Sequence, residues 1–385
     1  MALEIHKTLS TTPHFSFGNS IESFFEKYFI SESAEYYRFF CDPSRSTSVQ
    51  DLKEISYSKD IVIWAALDSL LTFKRYNYYT DAKIDFIHEL EKFCKKNKNK
   101  KFILFSCGQY ELQKFVSVSN LFIIDLINNY VPGQQYTQCD NKILDSKPWI
   151  CLSSRPEPHK FAVVSYLIGK QLDKTGKLCI DNRFSVSKRN FELAKSLFKF
   201  DRAHQKIFFK GFKNFLDKKF TKHPLSSYSG NNIHNYHTHL FPAYKTTALE
   251  IVIGSLFIEP APFFNEKEIQ CIYGKNLPIF INGPGSIKVF RDQYGLDMFE
   301  DIIDHSYDSV EDPSLRIFKA IDDNEHLLRD SELLTSLWYK NEFRLDENCK
   351  KMNKILYDKN YQIKLDEKNI KKAFDYFKIS YTSKI

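Results

Sequence analysis

Hydrophobic residues in the first third of the chain form short continuous runs. Ile61–Leu67 is entirely apolar, and the second and third predicted strands, Phe102–Cys107 and Leu121–Ile127, are interrupted only by Ser106 and Asp125. Continuous apolar runs of this length are typical of parallel strands that are covered on both faces of a sheet. Apolar positions at helical spacing predict a helix over 81–94. The lysine-rich segment 95–101 after it fits either a solvated turn at the helix end or a nucleic-acid patch.

The alternation resumes after Val131–Pro148, a segment rich in Gly, Pro, Gln, Asn and Asp that predicts an interdomain linker. The predicted elements that follow are strands at 149–154 and 277–282, an apolar stretch at 249–258, and helices beginning near Pro158, near Glu266 and after Gly283–Gly285. From 322 onward the pattern is helical, lysine-rich and without obvious strands. The whole pattern predicts an α/β protein with a Rossmann-like domain in 1–135, a second βα domain in 149–320 and a C-terminal helical segment in 321–385.

Composition narrows the class of protein only slightly. The 43% of hydrophobic and 27% of charged residues exclude wholesale disorder. A net charge of +7 permits a polyanionic partner without requiring one. The eight cysteines include no C-x-x-C pair and no zinc-finger spacing with histidine, which favours a reducing compartment.

No segment predicts a membrane protein. The first twenty residues lack an apolar signal core, and Asp68 interrupts the longest apolar stretch, Ile61–Phe73, which is too short to span a bilayer. We therefore expect a soluble cytoplasmic protein without membrane insertion, located in the host cytoplasm if it is viral.

A basic loop follows the predicted strand at 149–154. Arg155, His159 and Lys160 surround Pro158, which suits the first turn of a helix. A loop at the carboxyl end of a strand, next to the free N–H groups of a helix start, is suited to a phosphate or a pyrophosphate. The alternative is a basic helix start with solvated side chains.

A second polar block begins at Asn265, which can cap a helix in a capping box with Glu268. Glu266 and Lys267 then lie in the first turn. A carboxylate there can accept two ribose hydroxyls, and a lysine can reach a phosphate. The alternative is that Glu266 only interacts with the helix dipole.

Three blocks, in order, resemble GT-B type glycosyltransferases. The blocks are Arg155-Pro-Glu-Pro158-His159-Lys160, then Asn265-Glu266-Lys267 with Gly274, Pro278 and Gly283-Pro-Gly285, then Gly295–Phe299 with Asp304–Asp308. They look most like a fucosyltransferase-like group and a set of phage and bacterial sequences assigned as glycosyltransferases. The resemblance covers about residues 149–320. It implies a GT-B fold with two Rossmann-like domains facing a cleft. The first, 1–135, would bind the acceptor, and the second, 149–320, would bind the nucleotide sugar.

The resemblance also implies roles for individual residues. Arg155 and Lys267 would bind the diphosphate and Glu266 the ribose, while His159 and Lys160 match the motif without a defined role. Glu250 matches a carboxylate that would face the donor sugar. The chain departs from the pattern at Lys160, where Arg is usual, at His305, where Glu is usual, and at Gln270-Cys271, where Lys-Pro often stands. These departures concern the identity of the donor.

Other chemistry-bearing residues leave alternatives open. The chain has no Asp-x-Asp motif, which fits a metal-independent enzyme that uses a UDP- or GDP-linked sugar. His234, His237 and His239 suggest a metal site, although histidines in a polar loop are more typical of solvent-facing or hydrogen-bonding groups. An inverting reaction needs a base in the N-terminal domain, and Asp68, just after the first predicted strand, fits either that role or that of a helix cap.

The predicted function is glycosyl transfer from a nucleotide-diphosphate sugar to a hydroxyl group. The basic charge and the phage-like resemblance suggest that the acceptor is DNA carrying a hydroxymethylated pyrimidine. A glycan or lipid-linked oligosaccharide acceptor remains open, as does a non-catalytic nucleic-acid-binding protein on a Rossmann-like scaffold. For a DNA acceptor, the cationic side chains expected to face the cleft are Lys74, Arg75, Lys114, Arg183, Lys188 and Arg189.

Overall fold

The computed structural model describes most of the second half of the chain and parts of the first. The described residues are 4–5, 28–30, 34–39, 52–53, 55–66, 75–76, 83–84, 86–108, 110–126, 136–153, 157–180, 192, 194–195, 201–216, 221–222, 238–254 and 260–383. The chain divides into two compact units. The first comprises Met1–Pro132, Glu259–Asn265 and Asn353–Ile385, and the second comprises Gly133–Ile258 and Glu266–Met352.

The described strands and helices alternate between Trp149 and Asp292. The strands are β1 (Glu4–Ile5), β2 (Tyr28–Ile30), β3 (Ala34–Phe39), β4 (Ile61–Ala66), β5 (Arg75–Tyr76), β6 (Lys83–Ile84), β7 (Lys101–Cys107), β8 (Leu121–Leu126), β9 (Trp149–Ser153), β10 (Gly176–Ile180), β11 (Thr221–Lys222), β12 (Leu249–Ile253), β13 (Leu277–Ile281) and β14 (Tyr381–Ser383). The helices are α1 (Phe86–Lys96), α2 (Pro158–Gly169), α3 (Arg202–Leu216), α4 (Phe241–Tyr244), α5 (Glu266–Tyr273), α6 (Ser286–Asp292), α7 (Pro313–Asp322), α8 (Glu325–Arg329), α9 (Ser331–Tyr357) and α10 (Lys359–Phe377).

The first unit contains a parallel five-stranded sheet in the order β1-β3-β4-β7-β8. Its strand β4 is covered on both faces, as its continuous apolar run predicted. Ile61, Ile63 and Ala65 pack against the C-terminal helix α10, whereas Val62 and Trp64 pack on the side of α1. The sheet therefore needs α10 to bury one of its faces.

The C-terminal region differs from its prediction as a separate helical segment, 321–385. Residues 321–352 belong to the second unit and the rest to the first, because the apolar side of α10 covers the first sheet. Two short antiparallel pairs were also not predicted. Strand β14 pairs with β2, and β6 pairs with β5, so that α1 begins at Phe86 and not near 81.

The second unit contains a parallel five-stranded sheet in the order β11-β10-β9-β12-β13. The chain adds its first three strands in one direction, then returns to the other side of β9 with β12 and β13. The strand order therefore reverses between β9 and β12. Ligands of doubly wound sheets bind beyond the carboxyl ends of the strands at such a switch point. The described strands of the first sheet follow one another in chain order, without a reversal.

Helices cover both faces of the second sheet. Trp149 and Cys151 of β9 share a hydrophobic core with α2, α3 and α7. On the opposite face, Glu250 of β12 contacts Cys271 of α5. The molecule is thus a mixed α/β protein with two parallel sheets, compatible with two Rossmann-like domains. The GT-B arrangement of the two units remains an expectation from the resemblance.

Candidate functional site

Two helices of the second unit begin at the carboxyl edge of its sheet, on either side of the switch point. Helix α2 follows β9, and α5 lies between β12 and β13. Because α5 ends at Tyr273, just before β13 begins at Leu277, it runs antiparallel to the strands and its start lies at their carboxyl ends. The predicted starts at Pro158 and Glu266 are confirmed.

The start of α2 carries a nearly buried ion-pair cluster. Glu157, the residue before the helix, has an extended backbone, with φ of −69° and ψ of 141°. Its Oε2 lies 2.8 Å from Lys160 Nζ and 3.4 Å from His159 Nε2. The side chains of Lys160 and Glu157 are only 3% and 12% exposed. Water therefore screens this pair far less than a surface pair.

The start of α5 carries a second, more accessible pair. Lys267 Nζ lies 2.8 Å from Glu266 Oε1, and the two side chains are 26% and 23% exposed. Glu266 also accepts a hydrogen bond from its own backbone N–H. This carboxylate thus satisfies one of the free donors at the helix start, as the dipole interpretation of Glu266 expects.

The two pairs interact electrostatically, although they are about a hundred residues apart in the sequence. Burial alone would raise the pKa of Glu157, but Lys160 and His159, with a contribution from Lys267, hold it at about 2. Burial likewise opposes a low pKa for Glu266, yet Lys267, its own backbone N–H and Lys160 keep it below the ordinary value. Each carboxylate therefore responds to the lysine of the other helix. Of the predicted site residues, His159, Lys160, Glu266 and Lys267 come together at the switch point.

The other predicted site residues lie elsewhere in the second unit or outside the described residues. Asp68 and Arg155 are outside the described residues. Glu250 is the second residue of β12 and therefore lies toward the amino end of the strand. It is 3% exposed, and burial raises its pKa to about 8 despite the neighbouring Cys271, Tyr244 and Lys142. This position separates Glu250 from the two helix starts at the carboxyl edge.

The segment predicted as a linker contributes a buried cation to the second unit. Lys142 Nζ donates to the carbonyl oxygens of Gly274 and Lys275, at 2.8 and 3.0 Å, and to Asn276 Oδ1 at 2.7 Å. Burial lowers the pKa of Lys142 to about 7. Residues 136–148 are thus an integral part of the second unit. Nothing in the local composition indicated this, because the partners of Lys142 lie more than 130 residues away.

Three features at the carboxyl edge were not predicted. Ser153 ends β9, and its buried Oγ has no hydrogen-bond partner among the described residues. Gly254 follows β12, where a Cβ would lie 1.3 Å from Asn282 Oδ1. Asn282 donates to Glu268 Oε1 at 2.6 Å, so the end of β13 is joined to the start of α5. Glu157 was also missed as a site residue, although its spacing of three from Lys160 was an available signal.

The third block of the resemblance has a structural role next to this edge. Gly285 has a φ of 83°, which favours glycine, and α6 begins at the next residue. Asp308 Oδ2 accepts hydrogen bonds from the backbone N–H groups of Ile287 and Lys288 at 3.1 and 3.3 Å. The block thus holds the Gly283–Gly285 turn in place.

The remaining predicted chemistry finds limited support. Among the described residues, no group of His, Cys, Asp or Glu could hold a metal ion. His239 is exposed, whereas His234 and His237 lie outside the described part. No helix in the described ranges is both long and apolar enough to cross a membrane.

Of the cations proposed for DNA, Lys114 is exposed and pairs with Glu111 at 3.0 Å, and Arg75 lies in β5. The others are not described: Lys74, Arg183, Lys188 and Arg189.

Comparison with known proteins identifies no family for this chain. No protein-family model matches the chain, and no curated protein matches it. The arrangement itself combines two cations, two carboxylates and two helix starts at a switch point. Such a combination can bind an anionic group through the lysines and orient hydroxyl groups through a carboxylate.

Proposed function

We propose that this protein is a glycosyltransferase whose second unit binds a nucleotide-diphosphate sugar without a metal ion. One observation carries the proposal. Two blocks of the GT-B resemblance, around His159-Lys160 and Glu266-Lys267, meet at the topological switch point of a parallel sheet. Nucleotides bind at this position in doubly wound domains.

Each residue has a role that its position allows. Lys267 and Lys160, assisted by Arg155 as the resemblance implies, hold the diphosphate and stabilise it as a leaving group. Glu266, which is ionised and partly accessible, accepts the ribose hydroxyls. His159 and Glu157 orient Lys160. We assign Glu250 no contact with the donor, because it is buried toward the opposite end of its strand.

The acceptor in this proposal is DNA with a hydroxymethylated pyrimidine. Its hydroxyl must lose a proton as it attacks the sugar, and Asp68, which follows β4 in the sequence, is the proposed base if the reaction inverts the anomeric centre. The diphosphate then leaves with the electron pair of the broken glycosidic bond.

Nucleotide binding tests the donor site most directly. UDP or GDP should raise the melting temperature of the protein in the presence of EDTA, because the cations of the site replace a metal ion. Glu266→Gln removes the charge and keeps the shape. A hydrogen bond to a charged group contributes about 1.5–3 kcal/mol, so the variant should bind the nucleotide about 10- to 150-fold more weakly in calorimetry.

Glu332→Gln is the matched control. Glu332 is an exposed acidic residue in the first turn of α9, so it shares the dipole interaction of Glu266 but not its position. The control should bind nucleotide like the wild type. Normal nucleotide binding by Glu266→Gln would mean that Glu266 only stabilises the start of the helix. Stabilisation that disappears in EDTA would contradict the metal-independent assignment, and absence of any nucleotide binding would contradict the proposal as a whole.

A further inference from the structure

Helix α3 of the second unit presents an exposed row of cations. Arg202, Lys206, Lys210 and Lys213 are spaced by four, four and three residues, so they fall on one side of the helix. All four are exposed. The helix contains no acidic residue, and no member of this basic row forms an ion pair within the described part of the chain. Asp201, just before the helix, instead contacts His204 at 2.5 Å.

The opposite side of α3 is fixed against α2. A Cβ on Gly211 would lie 1.6 Å from the carbonyl oxygen of Ser165, and one on Gly169 would lie 2.0 Å from that of Ile207. Glycine at both positions therefore lets the two helix backbones approach closely. The basic row therefore lies on the exposed side of a helix whose other side is packed closely against α2.

The direction of α3 relates the basic row to the candidate site. Gly169, at the end of α2, lies beside Ile207. Phe161, near the start of α2, has ring-centroid distances of 5.4 and 5.1 Å to Phe212 and Phe215. The two helices are therefore antiparallel. Lys213 lies toward the end of α3 that neighbours the start of α2, where the ion-pair cluster of Glu157 is located.

We propose that the basic row of α3 binds the phosphate backbone of duplex DNA and leads it toward the nucleotide-sugar site. With a rise of 1.5 Å per residue, the row spans about 16 Å. One strand of B-DNA carries a phosphate about every 3.4 Å along the axis, so this length faces about five phosphates. The inference names the acceptor of the proposed function and rests on that function for its biological purpose, but the binding step can be measured alone.

The chemistry of the helix favours DNA over a membrane surface. Interfacial helices insert large apolar side chains beside their cations. In α3 the side chains of Phe208 and Phe215 are buried, and Phe209 and Phe212 pack against the same core. No large hydrophobic residue of this helix is exposed among the described residues. The row therefore offers charge without an apolar anchor.

Salt dependence of DNA binding tests the proposal with a quantitative expectation. We would measure the anisotropy of a labelled unmodified 24-base-pair duplex between about 50 and 200 mM salt. Each phosphate contact contributes about −0.9 to the slope of log affinity against log salt, so Lys206→Gln/Lys210→Gln should reduce the slope by about 1.8. The fall in affinity over this range should then be about twelvefold smaller than for the wild type.

The double variant Lys340→Gln/Lys350→Gln removes the same charge from exposed positions on α9 and is the matched control. It should keep the wild-type slope. Equal slopes for both double variants, no DNA binding at the lowest salt concentration, or binding to phosphatidylserine vesicles in preference to DNA would each overturn the proposal.

Nucleotide binding separates this proposal from the proposed function. The α3 variant should still be stabilised by UDP or GDP, since the basic row lies outside the donor site. If DNA binding depends on α3 but no nucleotide binds, α3 is a DNA-binding surface and the glycosyltransferase proposal is wrong. If nucleotides bind and DNA does not, the proposal that α3 binds DNA is wrong, whereas the proposed donor site is supported.

Discussion

The ion pair between Glu157 and Lys160 gives the sharpest prediction about the candidate site. Moving the pKa of Glu157 from its ordinary value of 4.5 to about 2 corresponds to about 3 kcal/mol in favour of the folded, ionised form. Glu157→Gln removes this interaction and takes the Glu157 carboxylate away from Lys160, which is 3% exposed. Loss of one partner of a buried pair costs about 3–5 kcal/mol.

The measurement is thermal unfolding at pH 7, followed by circular dichroism. For a unit of about 200 residues, a loss of 3 kcal/mol lowers the melting temperature by about 6–12 °C. Glu347→Gln is the control, because Glu347 also pairs with a lysine three residues away, Lys350, but on the surface of α9. The control should unfold like the wild type.

The pH dependence has a defined sign. Because the folded pKa of Glu157 is depressed, its contribution is fully present above pH 4.5 and is lost as the pH falls toward 2. The difference between the wild type and Glu157→Gln should therefore be constant from pH 7 to about 5 and narrow below that. A difference that grows on acidification would show that another group carries the effect.

Anions distinguish a functional ion pair from a purely structural one. In Glu157→Gln, Lys160 has lost the Glu157 carboxylate and should donate a hydrogen bond to a phosphate oxygen in its place. Millimolar pyrophosphate should then raise the melting temperature of the variant more than that of the wild type. The reasoning is refuted if the variant unfolds like the wild type at pH 7, or if pyrophosphate stabilises both equally.

Two further predictions concern the structure around the site. Glu250→Gln removes a carboxyl group whose pKa is raised to about 8 in the folded protein. Between about pH 4.5 and 8 the unfolded chain has released this proton while the folded chain still holds it. The wild type should therefore lose stability relative to the variant as the pH rises through this range. Melting temperatures at several pH values in this range test it, and a difference independent of pH would contradict the assignment. Gly211→Ala places a methyl group against the Ser165 carbonyl and should destabilise the second unit by about 1–3 kcal/mol. Unfolding of Asn214→Ala, an exposed position on the same helix, provides the comparison, and equal stability of the two variants would mean that α2 and α3 can separate without cost.

The sequence by itself determined the local elements that depend on composition and spacing. The run that forms β4 was expected to be buried on both faces, because all six of its residues are apolar. Pro158 indicated the start of α2, since its ring suits the first turn and its missing N–H is not needed there. The polar residues of the motif blocks could be named as site candidates for the same local reasons.

Tertiary structure decided which of these candidates meet. Strand order placed the switch point between β9 and β12, and this brought the start of α2 next to the start of α5. Glu250 and Lys142 are charged residues of types that usually face solvent, yet both are buried by residues distant in the chain. Helix α10 likewise belongs to the first unit because its apolar side covers one face of the first sheet. Local patterns encode periodicity and polarity, whereas the partner of a buried charge or an apolar face depends on contacts between segments that only the folded chain brings together.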